Sequence, residues 1–502
     1  MRRLVTLLCV LALAVAASAQ SDDELFGGDD DFFGSDDALF GGDDDALFGG
    51  GDDDLFADDG IDVVEDVRAK SDLSKGVLFD SGSIKIGGSL DSSLSTSTVL
   101  FSPENKSFRD NLSDTILTPK LSAMLSVDAR PTETLRFYTK FGLAYPFVST
   151  AATQLQYTDM QLDLSSLPPL PGLSSLAGQS FPVVSGANTS VTDWLKLKEL
   201  FTDFSVKDTA FFRFGVHTVT WGAGYFFSPV SDMINTSSID PEHPDAQVDG
   251  SLNLRTQIII PHTQNCLWLY VIPSTDFTNQ TASSYARDTA LAGKADVVFG
   301  GWEFGFGGFY KYQNAPKFMM TATGSLGKAS LFGEFVYSHG AASEWKDNPE
   351  DWGDKTSIFQ ATAGLSYYWK EPNITFAAQY YFNGNDIDIP YKWLLSGHNI
   401  ATMVNFGKIP GMPDFSASLF GMMNFGREEL SSDETTAFKA MGLSDSDLQA
   451  LSGTSLNSTA MLYWSPIKDL KLGLGPSFTF PDFDTDPTVS LKLSFTLGGG
   501  KF

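Results

Sequence analysis

From about residue 80 onward the chain alternates apolar and polar residues with a period of two, in segments of about nine to twelve residues. Leu121, Ala123, Leu125 and Val127 alternate with Ser122, Met124, Ser126 and Asp128. The same division runs through Leu135–Leu143, Phe212–His217, Trp302–Lys311 and Val489–Leu497. Successive side chains of a strand point to opposite faces, so each segment offers one face suited to lipid and one suited to water. Its length is that of a tilted strand crossing a bilayer. After the first twenty residues no stretch approaches the ~20 apolar residues of a membrane helix, so a helical membrane topology is excluded.

The connections sharpen this reading, because a membrane barrel has short turns at one rim and longer loops at the other. Short breaks fall at Ala129–Glu133, Lys207–Thr209, Pro261–Asn265, Gly300–Gly301, Leu326–Gly327, Lys370–Asn373, Lys408–Pro413 and Ser465–Lys468. Between them lie long connections near 146–193, 221–250, 274–290, 339–356, 383–398 and 426–454. With a first strand near 83–98, the pattern predicts an all-β fold: a transmembrane antiparallel up-and-down β-barrel of eighteen strands, sixteen being the alternative count, with both termini on the periplasmic side. Tyr145, Trp194, Trp221, Tyr225, Trp268, Tyr310, Tyr337, Trp369, Tyr380, Tyr463 and Trp464 fall near the expected strand ends and are assigned to interfacial aromatic belts. The competing reading is a soluble all-β core.

The start of the chain accounts for the compartment. Arg2 and Arg3 precede the apolar run Leu4–Ala16, and Ala17-Ser18-Ala19 is a small-x-small cleavage pattern, so residues 1–19 read as a signal peptide. Only Cys266 follows Cys9, so no internal disulfide is available to the exported chain. The net charge of -29 is uneven: residues 21–66 hold 19 acids and no Lys or Arg, leaving 43 acids against 31 bases beyond them. That balance excludes a nucleic-acid surface, which needs concentrated basic charge.

Within that acidic stretch a DDxLFGG-type unit recurs, with Phe26, Phe33, Phe40, Phe48 and Phe56 every seven or eight positions. Each unit sets one apolar pair against two or three carboxylates and flexible glycines, which is too little to build a core. Residues 20–66 therefore read as a disordered periplasmic tail, 67–82 as a linker and 83–502 as the barrel. The tail is either a solvated spacer or a multivalent docking segment, its phenylalanines the anchors for a periplasmic partner. A calcium β-roll does not fit the spacing.

Two local features carry a resemblance. The chain ends on Phe502 after an amphipathic strand, resembling the terminal signal by which the barrel-assembly machinery recognises its clients. Leu493, Phe495 and Leu497 lie out of phase with Phe502, and Gly498–Gly500 offers a bulge that would reset it. Arg213-Phe214-Gly215-Val216-His217, followed by Trp221-Gly222-Ala223-Gly224-Tyr225-Phe226-Phe227-Ser228-Pro229, is similar to the strand-then-WGxGxxFxP segment of porin-like barrel families. The resemblance implies an outer-membrane location, lipid and the assembly machinery as partners, and a porin-like role, with homo-oligomers allowed. It names no solute.

Enzyme chemistry is not expected. The five histidines lack metal-ligand spacing, no nucleophile elbow, HExxH pair or P-loop occurs, and no cofactor or metal is implied. Strand parity instead nominates pore-lining charges: Arg136, Lys140, Glu199, Asp203, Arg213, His217, Arg255, Glu303, Lys311 and Glu334. In a wet lumen such groups set a transverse field and an ion preference. The expected function is passive or weakly selective diffusion of small hydrophilic solutes, narrowed by an inward loop, for which 146–193 is the leading candidate. A fatty-acid type transporter, suggested by the leucines of that loop, and a structural or adhesive surface barrel are the alternatives.

Overall fold

The computed structural model describes residues 70–72, 77–102, 115–145, 158–161, 180–183 and, apart from segments inside loops, 195–501. The expected signal peptide, the acidic repeat with its five phenylalanines, Trp194 and Phe502 lie outside the described residues, as does most of 146–193. Eighteen strands form one antiparallel sheet. They are β1 (Ile84–Phe101), β2 (Ile116–Thr132), β3 (Leu135–Tyr145), β4 (Leu195–Val206), β5 (Ala210–His217), β6 (Ser251–Ile259), β7 (Cys266–Ile272), β8 (Ala290–Phe299) and β9 (Trp302–Tyr310). The second half comprises β10 (Lys317–Leu326), β11 (Ala329–His339), β12 (Ser357–Trp369), β13 (Ile374–Asn383), β14 (Gly397–Phe406), β15 (Phe415–Phe425), β16 (Ser455–Ile467), β17 (Leu470–Phe480) and β18 (Thr488–Lys501).

Each strand pairs with the next, and β18 pairs with β1 from Val489↔Phe101 to Lys501↔Ser89, which closes the sheet. Closure satisfies the backbone groups within the sheet, the condition for strands to lie in lipid. Outward positions are apolar and uncovered by protein: Leu267, Leu269 and Val271 on β7, Leu291 and Val297 on β8, Leu493, Phe495 and Leu497 on β18. A closed barrel of this size with such a band spans a membrane, and barrels of this architecture belong to the outer membrane. No helix among the described residues is long and apolar enough to cross one.

The stretch expected as a linker contributes structure of its own. Below Ser89, β1 extends beyond the reach of β18, and Val77–Asp80 pairs there with Gly87–Lys85, while Lys70–Asp72 pairs with Val77–Asp80. The two short strands cover an edge that would otherwise present unpaired backbone groups. At the chain's other end, β18 shifts register by one residue between Gly498 and Gly500, and Gly498 takes φ 108°. This is the bulge anticipated from the phase of the last strand.

Short helices sit in the long-loop rim. Helix α1 (Ala282–Asp288) is closed by a reciprocal capping box between Thr281 and Ser284, and α2 (Ala342–Asp347) lies between β11 and β12. A further pair of short strands, Thr158–Gln161 with Ser180–Val183, lies in the connection after β3.

Candidate functional site

Strand parity sends two kinds of side chain into the lumen. On β18 and β1 the inward positions are mostly small and polar: Ser93, Ser95 and Ser97 of β1 stand opposite Thr496, Ser494 and Lys492 of β18. From β8 to β14 several inward positions are instead apolar, including Ala292, Met319, Val336, Ala377, Ala401 and Met403, and all of these are buried. An open aqueous lumen would not bury them, so a piece of the chain must cover that wall.

The covering piece is the connection between β5 and β6. Its first part, Thr218-Val219-Thr220-Trp221-Gly222-Ala223-Gly224-Tyr225-Phe226-Phe227-Ser228-Pro229-Val230, is too apolar to remain in water, and it docks against the inner wall. Val219, Trp221, Val230 and Ile234 pack with Tyr270, Ala292, Met319 and Val336. Phe226 and Phe227 pack with Ala377, Tyr381, Ala401 and Met403, beside Phe420 and Met422. The barrel thus holds two small hydrophobic cores inside its own lumen.

Three wall residues fix the loop's backbone. The Glu334 carboxylate of β11 accepts from Gly224 N–H (2.8 Å), the Ser228 hydroxyl (3.1 Å) and Val230 N–H (3.1 Å). Gln379 of β13 accepts from Phe226 N–H at 2.7 Å, while its amide donates to the Phe227 carbonyl at 2.6 Å and to Thr362. Lys294 of β8 donates to the Trp221 carbonyl at 2.9 Å and pairs with Asp296 at 3.0 Å. The glycines of the WGAG segment follow from this approach. A Cβ on Gly222 would lie 2.0 Å from a Glu334 carboxylate oxygen, and one on Gly224 would lie 1.9 Å from the Phe227 carbonyl.

The rest of the loop reaches across the barrel. Glu242 pairs with Lys492 on β18, and Asp249 is held at the root by Lys196 and Lys198 of β4. Burial draws the Asp249 pKa upward, but the hydrogen bonds and charges of the two lysines outweigh it and leave the carboxyl below its ordinary value. The uncovered lumen is therefore bounded by the loop on one side and, on the other, by the serine-rich wall and the charged inner face of β2–β6.

On that face the register sets Arg136, Asp203, Arg213 and Arg255 at one level of four neighbouring strands. Asp203 is buried, binding Arg213 through both oxygens at 2.6 and 3.1 Å and lying 3.7 Å from Arg136. Arg136 also binds Asp128 at 2.9 Å. Phe201 lies 4.1 Å beneath the Arg213 guanidinium and stacks on Tyr138, while Arg255 stands over Trp268. The aromatic floor and the alternating signs hold the guanidinium planes in place.

The ten nominated charges thus fall into separate places. Arg136, Asp203, Arg213 and Arg255 come together, and Lys140 stands opposite Glu199 two levels further along, beyond Tyr138 and Phe201. Glu303 points inward near the short turn at Gly300–Gly301, away from this group. Three expectations are corrected. His217 and Glu334 are 1% and 4% exposed, His217 beside the Phe201 ring and Glu334 beneath the loop, and they do not face passing solute. Lys311 lies beyond the end of β9, in a groove of the outer rim. Four of the aromatic residues expected in the belts are also turned inward: Trp221 and Tyr225 belong to the loop, Trp268 donates to Asp296 at 2.7 Å, and Tyr463 lies under Lys471. Among the described residues no group of three or more His, Cys, Asp or Glu is placed to hold a metal.

No protein-family description and no curated protein matches the sequence. Solved structures similar to it include the outer-membrane channel DcaP of Acinetobacter baumannii, at 10% identity over 84% of this chain and 98% of that one, with a TM-score of 0.40. OpdQ of Pseudomonas aeruginosa matches at 9% identity over 83% and 97%, TM-score 0.44. A BenF-like porin from Pseudomonas fluorescens matches at 10% over 82% and 98%, TM-score 0.44. At these values no residue or substrate carries over, and the barrel's own closure and lipid-facing band define the class, a porin-like outer-membrane β-barrel.

Proposed function

We propose that the protein is a diffusion channel for small hydrophilic solutes, weakly selective, with its narrowest passage between the inward loop Thr218–Gly250 and the wall of β16–β18 and β1–β6. The observation that carries this reading is the loop pinned by Glu334, Gln379 and Lys294 across from a serine-rich, charge-bearing wall. A loop fixed on one side narrows a wide barrel without sealing it, and small polar side chains on the other side keep the passage wet. The row of Arg136, Asp203, Arg213 and Arg255 places charges of both signs across the path, which orients polar solutes more than it selects one ion.

Planar-bilayer recordings test the reading. Stable ohmic steps, together with uptake of small sugars into proteoliposomes that declines with solute size, are the expected outcome. A correctly inserted barrel that stays silent and admits no sugar would exclude it, and a silent barrel that binds labelled fatty acid would point to a hydrophobic-substrate transporter.

The ends of the chain belong to the same proposal. Residues 1–19 direct export, Phe502 engages the barrel-assembly machinery, and the repeat carrying Phe26, Phe33, Phe40, Phe48 and Phe56 docks in the periplasm through its Leu-Phe pairs, with the carboxylates steering. Replacing the five phenylalanines with serine at constant charge should abolish capture of any partner by the tail. A serine variant that keeps every partner would return the tail to the role of a spacer.

A further inference from the structure

A second concavity lies away from the lumen. At the outer rim the turn after β9 and the loop carrying α2 enclose a cavity of ≈ 320 Å³ lined by Tyr310, Tyr312, Gln313, Asn314, Trp345 and Trp352, together with Lys311. The strand parity of the residues around it aims it at the lipid side of the wall. Tyr310 continues the outward parity of Phe306 on β9, and Tyr337, just below, shares the outward parity of Phe335 on β11 and packs 5.3 Å from the lipid-exposed ring of Phe359. The cavity therefore begins where the lipid-facing stripe ends, at the depth of outer-leaflet headgroups.

Its walls are held in place by the protein. The rings of Trp345 and Trp352 stand 4.7 Å apart at 80°. Trp345 is buried and donates through Nε1 to the His339 carbonyl at 2.5 Å. Trp352 stacks on the His339 ring and its carbonyl lies 2.9 Å from His339 Nε2, yet 54% of the residue is exposed. Gln313 takes φ 56° in the turn closed by Asn314 N–H and the Lys311 carbonyl. The Glu344 carboxylate beside Trp345 is taken up by the N–H groups of Ala341 and Thr356 and the Thr356 hydroxyl, and Asp351 beside Trp352 accepts from Gly353 N–H. The cations Arg287 and Lys355 lie over Tyr312 and Trp345, at 5.5 and 4.9 Å.

A simple interfacial belt needs aromatic rings scattered at one depth. Here they form a concave box with amide side chains and Lys311 on its lining, and more than half of the Trp352 surface is left uncovered by protein. This is the complement of a sugar ring. The C–H faces of a pyranose carry partial positive charge and lie against a π face, its hydroxyls bind amides, and cations suit a phosphate or acid attached to it. We propose that this cavity binds the sugar headgroup of a glycolipid in the outer leaflet, the lipid source following from its opening toward lipid and not toward the channel.

The test uses the full-length protein in phosphatidylcholine nanodiscs containing either monoglucosyl diacylglycerol or plain diacylglycerol, with retained lipid counted by native mass spectrometry. The wild-type protein should retain the glucolipid in preference to diacylglycerol. Trp352→Ala should lower that retention about fivefold, as loss of one stacked aromatic face implies, and Trp352→Phe should keep most of it. Heat-modifiable migration and conductance should be unchanged in both variants, which separates this site from the channel. Equal retention of the two lipids by the wild type, or undiminished retention by a folded Trp352→Ala protein, overturns the proposal in favour of an ordinary aromatic belt. Displacement by methyl glucoside as effective as by the lipid itself overturns the lipid assignment.

Discussion

Replacing Glu334 tests whether the inward loop sets the channel's width. The carboxylate is 4% exposed and accepts three hydrogen bonds from the loop. Glu334→Leu leaves the N–H groups of Gly224 and Val230 and the Ser228 hydroxyl without this acceptor, at about 1 to 3 kcal/mol for each that stays buried, or on the order of 5 kcal/mol together before relaxation. The two apolar cores around Trp221 and Phe226 remain, so the loop should loosen without leaving the lumen. Glu334→Gln keeps one acceptor oxygen but presents an amide donor to the other site, and its effect should be intermediate. In planar bilayers the expected result is larger and noisier unitary conductance in the order wild type, Gln, Leu, with unchanged heat-modifiable migration. Conductance and noise identical to wild type in a folded Glu334→Leu barrel would refute the idea that this carboxylate holds a constriction.

The barrel was legible in the sequence because lipid imposes a rule on every strand: apolar residues outward, a fixed segment length, and turns alternating with loops. The Gly498–Gly500 bulge was legible for the same reason, as a break in phase before the chain end. An inward loop was expected, with 146–193 as its leading candidate, but the inward course of Thr218–Gly250 was not read, although its signal is present. Ala292, Met319, Val336, Ala377, Ala401 and Met403 share the inward parity yet are not polar, which departs from the lumen rule and marks the wall that something apolar must cover. The WGAGYFFSP segment offered the complementary surface. Parity alone could not show that these two surfaces meet, because Glu334 is 110 residues from Gly224, and Gln379 is 153 from Phe226. Parity placed His217 and Glu334 on the inner side but could not tell that both would be buried there, Glu334 by the loop and His217 beside Phe201. The girdle assignments failed at Trp268 and Tyr463 on a simpler ground, since proximity to a strand end does not decide which face a side chain takes.

Four further outcomes are expected. Phe214→Arg, on the exposed outward face of β5, should cost about 2 to 4 kcal/mol of barrel stability in refolding titrations, whereas Phe214→Leu should cost far less; equal losses would break the proposed parity. Arg213→Ser should also destabilise, because it strips the bidentate partner from buried Asp203, and the double change with Asp203→Ser should recover much of the loss; no recovery in the double variant would show that the pair is not coupled. Gly222→Ala should widen the channel as Glu334→Leu does, since the added methyl would occupy the carboxylate's position; wild-type conductance would count against the close approach. The last concerns acid. The Asp249 carboxyl, lowered from its ordinary value of 3.8 by Lys196 and Lys198, binds fewer protons with the loop root docked than with it free. Its contribution to docking is therefore complete above pH 3.8 and is lost as pH falls through the lower, docked value. Conductance noise should stay flat from neutral pH down to about that point and rise below it, and Asp249→Asn should show the raised noise already at neutral pH. An Asn variant whose recordings match the wild type at every pH would remove Asp249 from the loop's attachment.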